Sequence, residues 1–388
     1  MTKVKAFKGL LFNQKKIPDL ASVVCPPYDV ISPAKQQALH ERDPHNLIHI
    51  LLSNDVSSDD KYKLAGARFR AWVEEGIFVQ DAMPSIYFYS QQYTLKGEKR
   101  TRLGFIALLR LGDSKSSAVY AHEHTRAAPK EDRLKLLHAV RANLSPIFVL
   151  FPDKKRVIQS IWENIASFGK PCIDIVDEDR IVHKVWRISA PELLEKIQVR
   201  MEGEDIFIAD GHHRYEVACL FRDAMLKESG ATTGEESFNY VLAYFTNTDL
   251  KGLTVLPIHR LIKVGNDFNL NRFFEQLKPY FDAEEIKDKT RFFFLLEKSG
   301  QTEHVIGMYK QGRFWLLRLK NVKVLDKSIS EKPKEYRSLD VAILNYVILK
   351  ECLGVDVASK GDVAFDPDPE ALIKAVDNET ATMGFFLN

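Results

Sequence analysis

Residues 206–227 constrain the fold of this chain more than any other segment. Residues 206–208, Ile-Phe-Ile, are a short apolar run that is typical of a buried strand. Residues 215–227 carry apolar side chains at helical spacing, and Asp-Gly-His-His-Arg lies between the two patterns. The segment therefore predicts a strand that passes through a tight turn directly into a helix, with the free N–H groups and the positive dipole end of that helix at one point.

The residue types in this turn suit the binding of an anion, most of all a phosphate. Gly211 lets the backbone approach a ligand closely or adopt a positive φ, and Arg214 offers a planar fork of donors. His212 and His213 titrate near neutrality and lie where a helix leaves its N–H groups unpaired. The alternative is ordinary turn chemistry, in which Asp210 or His212 caps the helix and the charged residues form a solvated first turn.

Composition limits the class of protein. The length of 388 residues predicts two to three domains, and 45% hydrophobic with 28% charged residues is normal for a globular chain. The net charge of +2 is not the basic surface expected of a nucleic-acid protein. No apolar stretch approaches ~20 residues, and the first residues lack the apolar segment of a signal peptide. The four scattered cysteines fit reduced thiols, so we expect a cytoplasmic protein.

Helix and strand patterns alternate along most of the chain, which predicts a mixed α/β fold with a central sheet. Residues 85–94 and 100–111 form a predicted hairpin around a glycine-bearing turn, and 253–258 is predicted as a strand. We expect a main domain over 1–265.

The remainder of the chain changes character. Residues 266–322 read as a small appended α+β unit, with a helix over 270–281 and strands over 290–297, 304–310 and 313–319. Residues 323–388 are predicted as a helical segment, with a long helix over 338–353, that returns to the main domain. The last residues read as a strand in progress, so a further C-terminal segment is expected.

Residues 122–133 form a second dense cluster of chemically active side chains. Glu123 is a candidate general base or metal ligand, and it lies among several cations. Lys130 and Arg133 fall at the start of a predicted helix, where cations are unfavourable beside the dipole unless an anion lies between them. The alternative is a charged surface loop.

Two prolines before Tyr28 and Asp29 form a third candidate segment. They forbid a helix and hold an extended loop, which would present Tyr28 and Asp29 to a ligand. The prolines are equally explained by the start of the following helix, which Ser32 and Pro33 predict as its cap and first residue.

Several familiar catalytic patterns are absent from the sequence. It has no Gly-x-x-x-x-Gly-Lys-Ser/Thr, no Gly-x-Gly-x-x-Gly after a strand and no Gly-x-Ser-x-Gly. A P-loop ATPase, a Rossmann dehydrogenase and an α/β-hydrolase are therefore disfavoured.

The whole chain resembles the bacterial and archaeal family known as domain of unknown function 1015. The segments that carry this resemblance are 25–32, 122–125, 129–133, 143–148 and 209–218. Residues 210–215 with Ala218 also resemble, locally, the phosphate-binding signature of the ParB/sulfiredoxin-like superfamily. That superfamily includes chromosome-partitioning CTPases, sulfiredoxin and archaeal free-serine kinases.

The local resemblance implies a ParB/sulfiredoxin-like nucleotide-binding core with a mixed sheet. It implies that Gly211, His212, His213 and Arg214 contact phosphates and that Asp210 positions Mg²⁺ or the transferring group. His212 stands where sulfiredoxin has its catalytic cysteine, so reduction of a sulfinic acid is not expected.

These observations lead to the hypothesis of a phosphotransferase that uses ATP or ADP with Mg²⁺ and acts on a small hydroxylated metabolite, such as free serine. The residues assigned to it are Glu123, Asp210 and His213 for catalysis, Asp210 for the metal, Gly211, His212, His213, Arg214, Lys130 and Arg133 for phosphate, and Tyr28, Asp29, His122 and Thr125 for substrate. The alternatives are a non-catalytic sensor of a nucleotide or phosphometabolite and a ParB-like nuclease or nucleic-acid-associated protein. The kinase hypothesis requires that the segments of Glu123 and Asp210 meet in space.

Overall fold

The computed structural model describes residues 2–54, 60–95, 97–112, 118–121, 127–230, 233–248, 253–254, 256–265, 268–329, 334–357 and 362–388. The chain divides into two compact units, unit 1 (Met1–Leu253) and unit 2 (Thr254–Asn388), and both mix helices with strands. The predicted mixed α/β class is confirmed. Within these described residues, no helix combines the length and apolarity needed to span a bilayer.

Unit 1 is built on one large sheet. Its helices are α1 (Leu20–Val23), α2 (Pro33–Arg42), α3 (Ile48–Leu51), α4 (Asp60–Glu74), α5 (Ala127–Val140), α6 (Val157–Glu163), α7 (Pro191–Met201) and α8 (His212–Ser229). Its strands are β1 (Val4–Lys5), β2 (Leu10–Phe12), β3 (Phe78–Gln80), β4 (Ile86–Leu95), β5 (Glu98–Arg110), β6 (Val119–Tyr120), β7 (Ile147–Phe151), β8 (Ile173–Val176), β9 (Val182–Ile188), β10 (Ile206–Asp210) and β11 (Tyr240–Asn247). The strand order is β6-β10-β7-β11-β5-β4-β9-β8, with β1 also paired to β5.

The alternation of side chains along these strands sets the main core of unit 1. Phe88, Phe105, Val149 and Phe245 are fully buried on one face, where they share a cluster with apolar residues of α6 and α7. Alternate residues of a strand point to opposite faces, so Tyr89, Phe148 and Tyr244 lie on the other face. The predicted hairpin is present, because β4 and β5 pair from Tyr87 and Ile106 to Leu95 and Glu98.

A second core of unit 1 is formed between helices α1, α3, α4 and α5. It joins Val23, Ile50 and Trp72 to Leu136 and Val140 of α5. Ser32 caps α2 as the sequence predicts, since its Oγ accepts a hydrogen bond from the Lys35 N–H at 3.3 Å. The 25–33 segment, which connects α1 to α2, and helix α5 both contribute side chains to the candidate site.

Unit 2 is a helix-covered antiparallel sheet. Its strands are β12 (His259–Ile262), β13 (Phe281–Ile286), β14 (Val305–Lys310), β15 (Arg313–Leu319), β16 (Val363–Asp366) and β17 (Met383–Phe386), in the order β13-β15-β14-β17-β12-β16. Its helices are α9 (Leu270–Leu277), α10 (Lys289–Ser299), α11 (Leu325–Ser328), α12 (Lys334–Arg337), α13 (Asp340–Ile343), which continues as a wider π-helix over Leu344–Cys352, and α14 (Pro369–Asp377).

The structure divides the chain differently from the prediction of 1–265, 266–322 and 323–388. The boundary lies at Leu253, and the C-terminal segment belongs to unit 2 rather than returning to unit 1. The reason is strand pairing: β17, near the end of the chain, pairs with β12 and with β14. A terminal strand that completes a sheet cannot be assigned to its neighbours from local sequence.

Three elements of unit 2 also differ from the prediction. Residues 290–297 form part of helix α10, because Asp288 caps the helix by accepting from the Arg291 N–H at 2.7 Å and Phe292 and Leu296 are buried one turn apart. The helix predicted over 270–281 ends at Leu277, and β13 follows it. The strand predicted over 253–258 begins instead at His259.

Candidate functional site

The 206–227 segment folds as predicted into a strand, a turn and a helix. β10 buries Ile206 and Ile208, and its pairing with β7 shifts register between Ile208 and Asp210. A bulge of this kind re-aims the residues that follow it. Gly211 then adopts φ +88° and ψ 29°, a left-handed conformation that strongly favours glycine, and α8 runs on for 18 residues.

Arg214 folds back across this turn. Its guanidinium lies so close to Gly211 that a Cβ there would be 3.0 Å from Cζ and Nε. Nη1 donates to the carbonyl of Pro146, and Nη2 forms a salt bridge with Asp210. Nη2 is also 3.9 Å from Oδ2 of Asp29. The Arg214 Nε is buried and finds no hydrogen-bond partner among the described residues.

The segment containing Tyr28 and Asp29 meets this turn in space. Tyr28 lies under the guanidinium of Arg133, whose Cζ is 4.5 Å from the ring centroid. Burial raises the pKa of Tyr28, the Asp29 carboxylate adds to this, and Arg133 and Arg214 act in the opposite direction. Arg133 and Arg214, which the sequence assigned to phosphate, thus both lower the pKa of the same hydroxyl, that of Tyr28.

The helix after the 122–126 segment supplies the other two predicted cations. Arg133 is 8% exposed and is held by the Leu51 carbonyl at 3.0 Å and by Asp132. Burial alone would raise the pKa of Asp132, but Arg133, together with hydrogen bonds from Tyr62 and other neighbours, holds it at about 2. Lys130 forms a 2.9 Å ion pair with Glu216 of α8.

Each predicted phosphate-binding cation therefore has a carboxylate partner of its own. The pairs are Lys130 with Glu216, Arg133 with Asp132, and Arg214 with Asp210. A ligand anion would have to exchange partners with one of them, and Asp210, whose side chain is 55% exposed, is the most accessible of the three carboxylates.

The two histidines of the turn are placed differently. His212 is 2% exposed, so its imidazole is closed to a ligand in this structure. His213 is half-buried in the same turn. Residues 122–126 lie outside the described residues, so His122, Glu123 and Thr125 remain sequence predictions.

Described residues on both sides of that segment lie beside the site. On one side, Tyr120 of β6 pairs with Phe207 of β10, and the two strands are parallel. On the other side, Lys130 of α5 contacts Glu216 of α8. The chain thus enters and leaves the 122–126 segment next to the elements that carry Asp210 and Arg214.

A row of polar and aromatic side chains crosses the same face of the sheet, and sequence reasoning missed it. Phe148, opposite Asp210 on β7, stacks on Tyr244 with 5.5 Å between ring centroids. The ring centroids of Tyr244 and Tyr89 are 5.2 Å apart. The Tyr244 ring also occupies the space above Gly104, where a Cβ would lie 2.5 Å from its Cε2. Arg102 adds its guanidinium 4.9 Å above the ring of Phe148.

This row ends in a hydrogen-bond relay. The Tyr89 hydroxyl lies 2.6 Å from Nδ1 of His183, and Nε2 of His183 lies 3.0 Å from Oδ2 of Asp177. Burial raises the pKa of Tyr89 above its usual value, so its hydroxyl is protonated and donates to His183. The strand pattern placed Tyr89 and His183 on strands, but only the pairing of β4 with β9 brings them together.

The described part of the site consists of carboxylates, arginines and a main-chain turn. Burial raises the pKa of the Cys25 thiol to about 12, so at neutral pH this cysteine is a thiol and a poor nucleophile. No group of three or more His, Cys, Asp or Glu side chains suited to a metal occurs in the described part of the chain.

Comparison with known proteins places the chain in a family without giving it an activity. No curated protein matches it. Among solved structures it is similar to a conserved hypothetical protein from Pyrococcus furiosus, with 12% identity over 70% of this chain and 76% of that one and a TM-score of 0.30. The family model described as "Protein of unknown function (DUF1015)" matches residues 4–342. The described parts of the segments that first suggested this family, including Tyr28, Arg133, Pro146 and Asp210, meet at the candidate site. The chain therefore belongs to the DUF1015 family.

Proposed function

We propose that unit 1 binds the phosphates of a nucleotide at the Gly211 turn and transfers phosphate to a small hydroxylated metabolite, with free serine as the first acceptor to test. The observation that carries this proposal is the pair of Arg214 and Asp210, whose side chain is 55% exposed, at the N-terminus of α8. Helix N-termini favour anions, and arginine matches the geometry of a phosphate. The proposal keeps the ParB/sulfiredoxin-like core as the expected type of nucleotide site.

The charges of this site are already paired, so a charged ligand would bind by replacing the carboxylate partner of Arg214. Asp210 and Asp29 both face the Nη2 of Arg214, one in a salt bridge and the other at 3.9 Å. When Arg214 turns to a phosphate, the two carboxylates are left facing each other without that cation. Carboxylates together with phosphate oxygens are the ligands that Mg²⁺ takes in such sites. Asp210 and Asp29 would hold the ion, which would offset phosphate charge.

The remaining roles follow from position. The main-chain N–H groups after Gly211 would contact the phosphates, as at other helix N-termini. Arg133, fixed by Leu51 and Asp132, would orient Tyr28, whose protonated hydroxyl can donate to the acceptor. Glu123 stays the sequence candidate for the base, since phosphoryl transfer needs a group that accepts the hydroxyl proton.

A non-catalytic sensor of a phosphometabolite is the second candidate. It is favoured by the internal carboxylate partners of Lys130, Arg133 and Arg214, because an arrangement of paired charges is sufficient for binding without turnover. Glu123→Gln separates the two candidates: a sensor keeps its ligand affinity and has no turnover to lose, whereas a kinase keeps binding and loses the transfer of phosphate.

The deciding experiment is a calorimetric titration of the full chain with ATP, ADP and CTP, each with and without Mg²⁺. We expect Arg214→Ala to weaken nucleotide binding by about tenfold or more, the usual loss for a hydrogen bond to a charged group. Lys227→Ala is the matched control, because it removes one positive charge from the last turn of the same helix. If no nucleotide binds to the wild type, or if both variants weaken binding equally, the proposal is wrong.

A further inference from the structure

His40 and His49, at the end of α2 and in α3, form a pair of imidazoles that the proposed function does not use. Their Nδ1 atoms are 3.0 Å apart, and their rings meet edge to face with 4.5 Å between centroids. Each Nε2 faces a main-chain carbonyl: that of His40 lies 2.9 Å from the oxygen of Leu52, and that of His49 lies 3.1 Å from the oxygen of Asp43.

These contacts fix which nitrogen of each ring carries the proton. A carbonyl oxygen has no proton to give, so the Nε2 atom that faces it must be the N–H donor. In a neutral imidazole the other nitrogen, Nδ1, then carries a lone pair. Two lone pairs therefore come within 3.0 Å of each other, an arrangement that becomes favourable when both converge on a cation.

The geometry suits a metal ion. Histidines that ligate metals donate the other ring N–H to a carbonyl or carboxylate, which fixes the tautomer and raises the basicity of the ligand. With metal–nitrogen bonds of about 2.0–2.1 Å, two neighbouring ligands lie about 2.9 Å apart at a right angle and about 3.4 Å apart in a tetrahedron. The observed 3.0 Å falls in this range.

We propose that His40 and His49 form a site for a borderline divalent transition metal of the zinc class, with water in the other coordination positions. Both histidines are half-buried rather than enclosed in the core. Imidazole ligands favour Zn²⁺, Cu²⁺ and Ni²⁺ over Mg²⁺, which prefers oxygen. The site is thus chemically distinct from the Asp210 turn.

A metal here would act on the candidate site through α3. It would tie α2 to α3, since one ligand comes from each helix. The carbonyl of Leu52 accepts from His40, and the carbonyl of Leu51, one residue earlier, accepts from Arg133. The carbonyl of His49 itself is held by Arg68 at 2.9 Å. We therefore assign the metal a structural role in fixing the anchor of Arg133.

The test is a calorimetric titration of the metal-stripped full chain with Zn²⁺, with Mg²⁺ as the comparison ion. We expect one Zn²⁺ to bind at the pair, and His40→Gln or His49→Gln to weaken this binding at least tenfold. His45→Gln is the control from the same segment, and a double His122→Gln and His124→Gln variant controls for the other histidine-rich segment. Neither control should change the affinity of the pair.

The wild type gives a second readout that does not depend on the folding of a variant. Zn²⁺ should shift the ¹⁵N resonances of Nδ1 in both His40 and His49 while each Nε2 stays protonated. No Zn²⁺ binding up to millimolar concentration, or binding that both glutamine variants leave unchanged, would overturn the proposal, and the pair would then share only a proton. Neither outcome bears on nucleotide binding at Arg214, so the two proposals fail independently.

Discussion

Unit 1 contains two aspartate–arginine pairs beside helix N-termini, and they differ in how completely their polar atoms are satisfied. Asp153 is fully buried at the start of α6, where its carboxylate accepts from the N–H groups of Val157, Ile158 and Gln159 and from Nε of Arg200 at 3.2 Å. The side chain of Asp210 is 55% exposed, and its partner Arg214 keeps a buried Nε without a hydrogen-bond partner among the described residues.

The difference separates a structural pair from a candidate binding pair made of the same residue types. Arg200 also donates to the Pro152 carbonyl at 3.0 Å and contacts Glu204. The hydrogen-bonding groups of the first pair are therefore occupied by partners within the protein and are not offered to a ligand. The second pair can exchange partners, since Asp29 stands 3.9 Å from Arg214 and the carboxylate of Asp210 reaches solvent. The first should therefore set stability and the second should set binding.

Asp153→Ala tests the structural side of the comparison and should have the largest effect on stability. It removes three helix-capping contacts and leaves the charge of Arg200 buried without its main partner. Breaking a buried pair in this way costs about 3–5 kcal/mol. The free energy of unfolding would be measured by urea denaturation, with hydrogen exchange of the strands of unit 1 as the local probe.

Asp210→Ala is the matched control for this measurement. Because its carboxylate is largely exposed, we expect a loss of less than about 1 kcal/mol. Equal losses in the two variants would remove the distinction between a structural and an exchangeable pair, and a large loss in Asp210→Ala alone would reverse it.

Gly211→Ala tests whether the geometry of the turn holds Arg214 in place. Alanine is strained at φ +88°, and its Cβ would lie 3.0 Å from the guanidinium of Arg214. We expect a loss of about 1–2 kcal/mol in the free energy of unfolding, together with loss of nucleotide binding in the calorimetric titration.

Gly230→Ala at the other end of α8 provides the comparison for strain alone. Its φ is +73°, and a Cβ there would meet nothing within 4 Å. We expect this variant to lose stability and to keep nucleotide binding. Loss of binding in both variants would show that the helix as a whole, rather than the position of Arg214, carries the effect.

The sequence predicted the part of the candidate site that lies in one continuous segment. A strand, a positive-φ glycine and a helix over 206–227 follow from hydrophobic period and turn chemistry, and the structure has all three. It also pointed to Tyr28 and Asp29 through the two prolines before them. The argument for Arg133 was wrong in its premise, because α5 begins at Ala127 and Arg133 therefore lies in the second turn rather than at the start of the helix. The meeting of these residues with Arg214 depends on the packing of distant segments, which no local pattern encodes.

The features that were missed are set by pairing between distant elements. The partner carboxylate Glu216 is an ordinary helix residue in sequence, and only the packing of α5 on α8 brings it to Lys130. The C-terminal strand β17 joins unit 2 by pairing with β12 on one side and β14 on the other. Residues 290–297 are rich in phenylalanine, which favours strands, but the cap at Asp288 and the burial of one face make them a helix.

The relay of Tyr89, His183 and Asp177 is intermediate between the two aspartate–arginine pairs in how far its side chains are exposed to solvent. Both nitrogens of His183 have partners, as in the closed pair, but the side chain of Asp177 is 22% exposed and that of His183 16%. Tyr89→Phe removes the donor to Nδ1 of His183 and should cost about 1 kcal/mol at pH 7, the usual value for one hydrogen bond.

The pH dependence of this loss tests whether water reaches the Tyr89 hydroxyl. Burial raises the pKa of Tyr89 in the folded state, so its contribution is fully present below the ordinary tyrosine pKa of about 10 and is lost as the pH rises above it, where the unfolded chain ionises first. Denaturation of wild type and Tyr89→Phe at pH 7 and pH 11 should therefore give a difference that falls by about 1.4 kcal/mol, one pKa unit of preferential ionisation, so that the variant is slightly the more stable of the two at pH 11. A difference that stays constant between the two pH values would mean that water reaches the Tyr89 hydroxyl, and the relay would then belong with the open, exchangeable pair at Asp210.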